Sequence, residues 1–125
     1  MTGILIDPKA REIREVEIEK DENGSSYLAA MYRELDCELV DVAPEVMSYL
    51  PGHPADDLWF DDEGRFRADD CGAFRLSQMF YPIVGRGLIL GSDKEGNSIS
   101  HRLTPKAIEF LKNSVEFMTR EEAGV

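Results

Sequence analysis

The side chains best suited by type and spacing to do chemistry are oxygen ligands in acidic, glycine-containing turns. Alternate positions of one turn match the early ligands of a calcium-binding loop, namely Asp93, Glu95 and Asn97. Such a loop also needs a glycine at its sixth position and a bidentate glutamate at its twelfth. Here Gly96 is the fourth residue and Thr104 is the twelfth. We therefore interpret residues 93–97 as a hairpin turn and predict no metal site.

The thiols and imidazoles are the next candidates, for zinc binding or for nucleophilic catalysis. There are four of them, Cys37, His53, Cys71 and His101. Structural zinc sites usually contain ligand pairs only a few residues apart, and no such pair occurs in this chain. The chain also lacks the strand–turn–helix pattern of a nucleophile elbow. We predict no catalytic residue and no cofactor, and we expect a protein that is not an enzyme.

A glycine-flanked arginine, Gly85-Arg86-Gly87, is the candidate for a small-ligand site. Glycine allows close approach to the backbone, and arginine can hold an anion. The segment lacks the third glycine and the following helix of a dinucleotide-binding motif, and the chain has no P-loop. An alternative hypothesis is therefore a small-molecule or nucleotide-binding domain or enzyme with its site near residues 85–91.

Acidic residues surround Trp59, the only tryptophan of the chain. They are Asp56, Asp57, Asp61, Asp62, Glu63, Asp69 and Asp70. If Leu58 and Phe60 face the core, strand alternation places Asp57, Trp59 and Asp61 on the opposite face. An exposed tryptophan ringed by carboxylates is typical of a binding hot spot, so we predict a partner-binding surface from these residues. The alternative is that a neighbouring loop or helix buries Trp59.

The charge is unevenly distributed along the chain. The net charge is −11, and all of this excess lies in residues 1–74. Residues 34–64 contain ten carboxylates and no lysine or arginine. Solubility alone explains many acidic proteins. A sharper interpretation is a surface that docks on a basic protein, whereas direct binding to nucleic acid is disfavoured because phosphate contacts need cations.

Size and composition place the chain among soluble, single-domain proteins. Its 125 residues are 42% hydrophobic and 31% charged, and no apolar run approaches the length that spans a bilayer. The first residues lack the pattern of a signal peptide, so we expect a cytoplasmic protein with free cysteines and no membrane contact. The oligomeric state is left open, and a purely structural or oligomeric role is a third hypothesis.

The order of predicted elements favours a sheet of short antiparallel strands. We predict strands at 3–7, 12–19, 38–43, 73–77, 87–91 and 98–101, and a hairpin that joins 57–61 to 65–67. Gly64 would give that hairpin a positive φ. The run 87–91 is apolar at consecutive positions, which predicts a central strand covered on both faces. Residues 46–50 fit either a strand or one helical turn.

Two helices complete the predicted elements. The first covers 27–35 after Ser25 and Ser26, and the second covers 105–118 with Thr104 as its N-cap. The prediction is a single α+β domain over residues 1–119, with a mostly antiparallel twisted sheet and two packed helices. Residues 120–125 are predicted to form a frayed tail.

Three sequence blocks resemble a small family of unknown function found on phages, plasmids and integrative elements. They are Ile6-Asp7-Pro8, the segment from Leu58 to Gly64, and the segment from Gly85 to Gly96. The resemblance covers about residues 3–100. It implies an α+β accessory protein of a mobile element and assigns no catalytic residue. Small acidic proteins on such elements include inhibitors of host nucleic-acid-targeting defences, such as anti-CRISPR proteins and DNA mimics. The leading hypothesis is therefore a binding protein for such a defence complex.

Overall fold

The computed structural model describes residues 1–125. Its nine strands are β1 (Thr2–Asp7), β2 (Glu12–Glu17), β3 (Val40–Ala43), β4 (Asp57–Asp61), β5 (Ala73–Arg75), β6 (Ile83–Val84), β7 (Gly87–Ser92), β8 (Ser98–Ile99) and β9 (Glu116–Met118). The two α-helices are α1 (Leu28–Leu35) and α2 (Pro105–Ser114), and two short 3-10 helices cover Val46–Tyr49 and Gly64–Phe66. No helix has both the length and the apolar character needed to cross a membrane.

The apolar run at residues 87–91 lies in the middle of the larger sheet, as predicted. Strand order is β2-β1-β7-β4-β3, every pairing is antiparallel, and β8 also pairs with β7. Both flanks of β7 are therefore hydrogen-bonded, and its residues from Gly87 to Gly91 are buried. The predicted hairpin between the first two strands is confirmed, with Thr2 opposite Glu17 and Asp7 opposite Glu12.

Each face of the larger sheet is covered by one helix. On one face α1 contributes Met31 and Leu35 to a cluster with Ile18, Leu88 and Leu90. On the other face α2 and a second sheet, of order β6-β5-β9, enclose a larger cluster. This arrangement confirms the predicted α+β class, the mostly antiparallel sheet and the two packed helices.

The predicted hairpin between residues 57–61 and 65–67 is wrong. Strand β4 pairs with β3 on one side and β7 on the other, and the chain then enters the 3-10 helix Gly64–Phe66. Gly64 does not have a positive φ. It is required because a Cβ at this position would overlap the carbonyl oxygen of Val84. The turn composition was read correctly as a bend, but pairing with distant strands determined what followed it.

The start of the C-terminal helix is confirmed and its predicted end is wrong. The Thr104 hydroxyl accepts a hydrogen bond from the Ala107 amide at 3.1 Å, and Pro105 is the first helical residue. The helix ends at Ser114, and Met118 lies instead in β9, opposite Ala73 of β5. An apolar stripe does not distinguish a helical turn from an edge strand that has β5 as its partner.

Residues 120–125 fold back onto the smaller sheet and do not extend away from the domain as a frayed tail would. The Val125 amide donates to the Arg120 carbonyl at 3.2 Å. Ala123 and Val125 pack against a small buried cluster of Ala73, Val84 and Met118. Apolar contacts at two positions of the tail therefore hold it to the domain.

Candidate functional site

Three of the carboxylates predicted to face a partner are buried, which corrects their expected exposure. They are Asp56, Asp57 and Asp61. The Asp57 carboxylate accepts a hydrogen bond from the Glu45 amide at 2.8 Å, and that of Asp61 accepts one from the Glu63 amide at 2.9 Å. Buried carboxylates are stable only when they are paired or hydrogen-bonded in this way. These three residues stabilise the loops around β4, and their carboxylates are not free to meet a partner.

Trp59 is half-buried, in agreement with the alternative that a neighbouring element covers it. It lies opposite Val42 in β3 and packs against the cluster beneath α1. Leu58 faces the other core cluster, so the predicted alternation along β4 is confirmed. The covered position of the tryptophan corrects its expected role as an exposed anchor.

The remaining predicted carboxylates are exposed, but only two of them are free of internal partners. Asp69 bonds to the Arg67 guanidinium at 3.0 and 3.1 Å, and this hydrogen bonding holds the pKa of Asp69 below its usual value. Asp70 accepts from the backbone amides of Gly72 and Arg120. Asp62 and Glu63 have no side-chain hydrogen bond or ion pair, so their charges are directed only to solvent.

Two further carboxylates, which the sequence did not single out, lie close to this pair. The Asp62 amide donates to the Leu39 carbonyl at 3.0 Å, which brings the turn after β4 next to the start of β3. This contact places Asp62 and Glu63 beside Glu38 and Asp41, both of which are exposed. We call these four residues, Glu38, Asp41, Asp62 and Glu63, the acidic corner. Strand pairing over about twenty residues of separation creates it, so no local sequence signal could have delimited it.

A groove of about 460 Å³ runs along the acidic corner. Glu38 and Glu63 line it together with Arg67 and the C-terminal residues of α1. The Arg67 guanidinium spans the groove floor, donating to the Asp36 carbonyl at 2.7 Å and lying 3.7 Å from the buried Asp61 carboxylate. Arg67 is thus occupied by internal acceptors, and the outward-facing charge of the corner remains negative.

The three residues of the alternative ligand site all have structural contacts. The Arg86 guanidinium donates to the Glu34 carbonyl at the end of α1, at 2.9 Å, and lies 3.7 Å from the buried Asp7 carboxylate. A Cβ on Gly87 would be 2.6 Å from Cζ of Phe74, so that glycine is needed for core packing. Gly85 has a φ of 98°. These contacts explain the glycines and the arginine without a ligand, and ligand binding here stays a prediction.

An aromatic surface that sequence reasoning missed lies beside the acidic corner. Phe66, Phe80 and Tyr81 are 86%, 93% and 77% exposed. They belong to two loops that are held together, since Arg65 donates to the Pro82 carbonyl at 3.2 Å and Phe66 and Pro82 line the same small cavity. We call these three residues the aromatic rim. The sequence signal was an aromatic pair next to a proline, but such pairs are just as often buried.

The thiols show no sign of activation. Burial, followed by the nearby Asp61 charge, raises the pKa of the Cys37 thiol to about 11. Burial also raises the pKa of Cys71. A reactive cysteine needs the opposite shift, toward the thiolate. No three side chains among the histidines, cysteines, aspartates and glutamates are arranged to hold a metal ion.

A family model described as a domain of unknown function (DUF3846) matches residues 1–115. The matched region includes both helices, the whole larger sheet and the acidic corner. No curated protein and no solved structure matches the chain.

Proposed function

We propose that this chain, which belongs to the DUF3846 family of domains of unknown function, is a non-enzymatic protein that binds a basic surface of a partner protein. The observation that carries the proposal is the adjacency of the acidic corner and the aromatic rim. The corner supplies charge for recognition, and the rim supplies apolar area for affinity.

The charge of the acidic corner is available to a partner. Glu38, Asp62 and Glu63 have no internal hydrogen bond or ion pair through their side chains, and residues 34–64 contain no cation. Like charges held close together repel one another, and this repulsion is relieved when a cationic surface docks on them. Complementary charge also accelerates the encounter of two proteins and opposes binding to acidic surfaces.

The aromatic rim has the composition of a binding hot spot. Large aromatic side chains supply most of the affinity at many interfaces, and three of them are exposed here. Exposure of such side chains costs hydrophobic free energy in the free protein, and a docked partner recovers it. The rim thus replaces Trp59 as the anchor in this proposal.

The partner class follows from the charge. Proteins with extended basic surfaces are commonly nucleic-acid-binding proteins, because phosphate contacts require lysine and arginine. The blocks shared with phage and plasmid proteins favour one class among these, a host complex that targets foreign nucleic acid. We propose that the acidic corner occupies the nucleic-acid-binding surface of such a complex and thereby inhibits it.

The test uses charge reversal at matched positions. One variant carries Glu38→Lys, Asp62→Lys and Glu63→Lys, and its control carries the same change at Glu19, Glu22 and Glu109. All six are exposed, and none of their side chains has an internal partner, so the two variants have equal net charge. Binding is measured against a panel of purified RNA-guided nucleases and restriction endonucleases by interferometry at low and high salt.

The expected result is that at least one panel member binds the wild type in a salt-sensitive manner. The corner variant should then lose about a hundredfold in affinity, while the control loses less than about threefold. A Phe66→Ser, Phe80→Ser variant should also lose affinity, with little change in salt sensitivity. Equal losses in the two charge variants, or no binding by any panel member, would refute the proposal.

A further inference from the structure

We infer that β3 is a docking strand, to which a partner adds an extended segment that alternates apolar and cationic residues. This inference rests on the proposed function and specifies its mode of recognition. Strand β3 is the last strand of the larger sheet, so its outer edge has no protein neighbour. Peptide addition to such an edge is a common mode of protein recognition, because the main chain supplies affinity and alternate side chains supply specificity.

The hydrogen-bond pattern shows which groups of β3 face outward. The bond from the Asp62 amide to the Leu39 carbonyl continues the register of β3 and β4. In an antiparallel pair every second residue bonds its partner strand. Asp41 and Ala43 therefore face β4, and the backbone groups of Val40 and Val42 face outward. No hydrogen bond from another element reaches these outward groups.

The Asp41 side chain covers one of the outward groups. Its carboxylate accepts a hydrogen bond from the Val42 amide at 2.8 Å. An uncovered amide on an edge strand would be a template for unwanted pairing. The carboxylate protects this amide in the free protein, and it can turn to pair with a lysine or arginine when a partner strand replaces it.

The other edge of the sheet lacks this combination of features. Strand β2 also carries carboxylates, but Arg14 lies among them and pairs with Glu12 at 2.7 Å. Both edges are nevertheless acidic enough to repel a second copy of the chain. The edge at β3 therefore excludes self-association and selects for cationic strands, and a partner of the proposed basic type meets this requirement.

The two faces of β3 determine the pattern of the docked segment. Val40 and Val42 lie on the face that carries Trp59, and they are half-buried. Asp41 lies on the opposite face and is exposed, with Asp62 diagonally across from it. Side chains directly opposite one another in neighbouring strands interact most strongly. The segment should thus place apolar side chains beside the valines and cationic ones beside Asp41.

The test titrates the isotopically labelled protein with a synthetic peptide of alternating lysine and valine and follows backbone amide hydrogen exchange by NMR. Two further peptides carry backbone N-methyl groups at every second residue, one at the lysines and the other at the valines. Only one of these sets can face β3, so each methylated peptide is the control for the other. A peptide in which glutamate replaces lysine tests the charge requirement.

The expected result is slower exchange, by about tenfold, of the Val40 and Val42 amides, with a smaller change at Asp41 and Ala43, which already face β4. One methylated peptide should abolish this protection and the other should preserve it. Equal protection by both methylated peptides, no protection by the unmodified one, or binding of the glutamate peptide would overturn the inference. If only this test fails while the charge-reversal test succeeds, the proposed function stands without strand addition.

Discussion

Arg102 holds the fully buried Asp56 carboxylate with two hydrogen bonds, from its backbone amide at 2.6 Å and from its Nε at 2.9 Å. The two residues are 46 positions apart. This pair attaches the segment before α2 to the start of β4. A carboxylate that lies within a predicted interaction surface is therefore a structural anchor.

Asp56→Ala should reduce the free energy of unfolding by about 2–4 kcal/mol, because it leaves the Arg102 amide without an acceptor in a buried site. Urea denaturation at neutral pH measures the loss. Asp62→Ala is the control, since Asp62 is exposed and unpaired, and it should change stability by less than about 0.5 kcal/mol. Equal effects of the two substitutions would show that the Asp56–Arg102 pair contributes nothing.

Gly64→Ala and Gly64→Asn should each destabilise the protein by about 2 kcal/mol or more, because any Cβ at this position meets the Val84 carbonyl. The asparagine variant distinguishes this reason from a need for positive φ, which asparagine tolerates better than alanine does. Thermal and urea unfolding of both variants provide the measurement. An asparagine variant as stable as the wild type would contradict the role of close packing.

Arg67→Met should destabilise the protein by about 1–3 kcal/mol, because the buried Asp61 carboxylate loses its nearest cation. The exposed contact with Asp69 should contribute little to this loss. A double-mutant cycle with Asp61→Asn provides the measurement. The second substitution should cost less in the Arg67→Met background than alone, and additive losses would show that the two residues are not coupled.

The Cys37 thiol should react slowly with alkylating reagents at neutral pH. Its pKa is raised to about 11 by burial and by the Asp61 charge, so the reactive thiolate is scarce. In a Cys71→Ser variant the alkylation rate should increase until the pH reaches about 11. A rate that levels off near pH 9, the ordinary value for a thiol, would show that Cys37 is not shielded.

The same shift predicts how stability depends on pH, with a sign that follows from the two pKa values. The unfolded thiol loses its proton near pH 9, whereas the folded one keeps it until about pH 11. Stability from Cys37 should therefore be complete below pH 9 and should decrease as the pH rises to 11. The free energy of unfolding of Cys37→Ser, measured over the same range, should lack this component.

Local patterns predicted the elements that local forces determine. The consecutive apolar residues at 87–91 identified the central strand, because a strand covered on both faces has no polar side. Thr104 and Pro105 identified the start of α2, because both act within one helical turn. The alternation of Leu58 and Phe60 with Trp59 was also evident, since strand geometry alone imposes it.

By itself, the sequence determined the composition of the sheet, the helix starts and the concentration of negative charge in the first half of the chain. Only the tertiary structure decided which carboxylates are exposed, because Asp56 is buried by an arginine 46 positions away and Asp62 is exposed at the end of a strand pair. It also decided that Trp59 is covered while Phe66, Phe80 and Tyr81 are not. Burial depends on which distant segments pack together, and no local pattern encodes that.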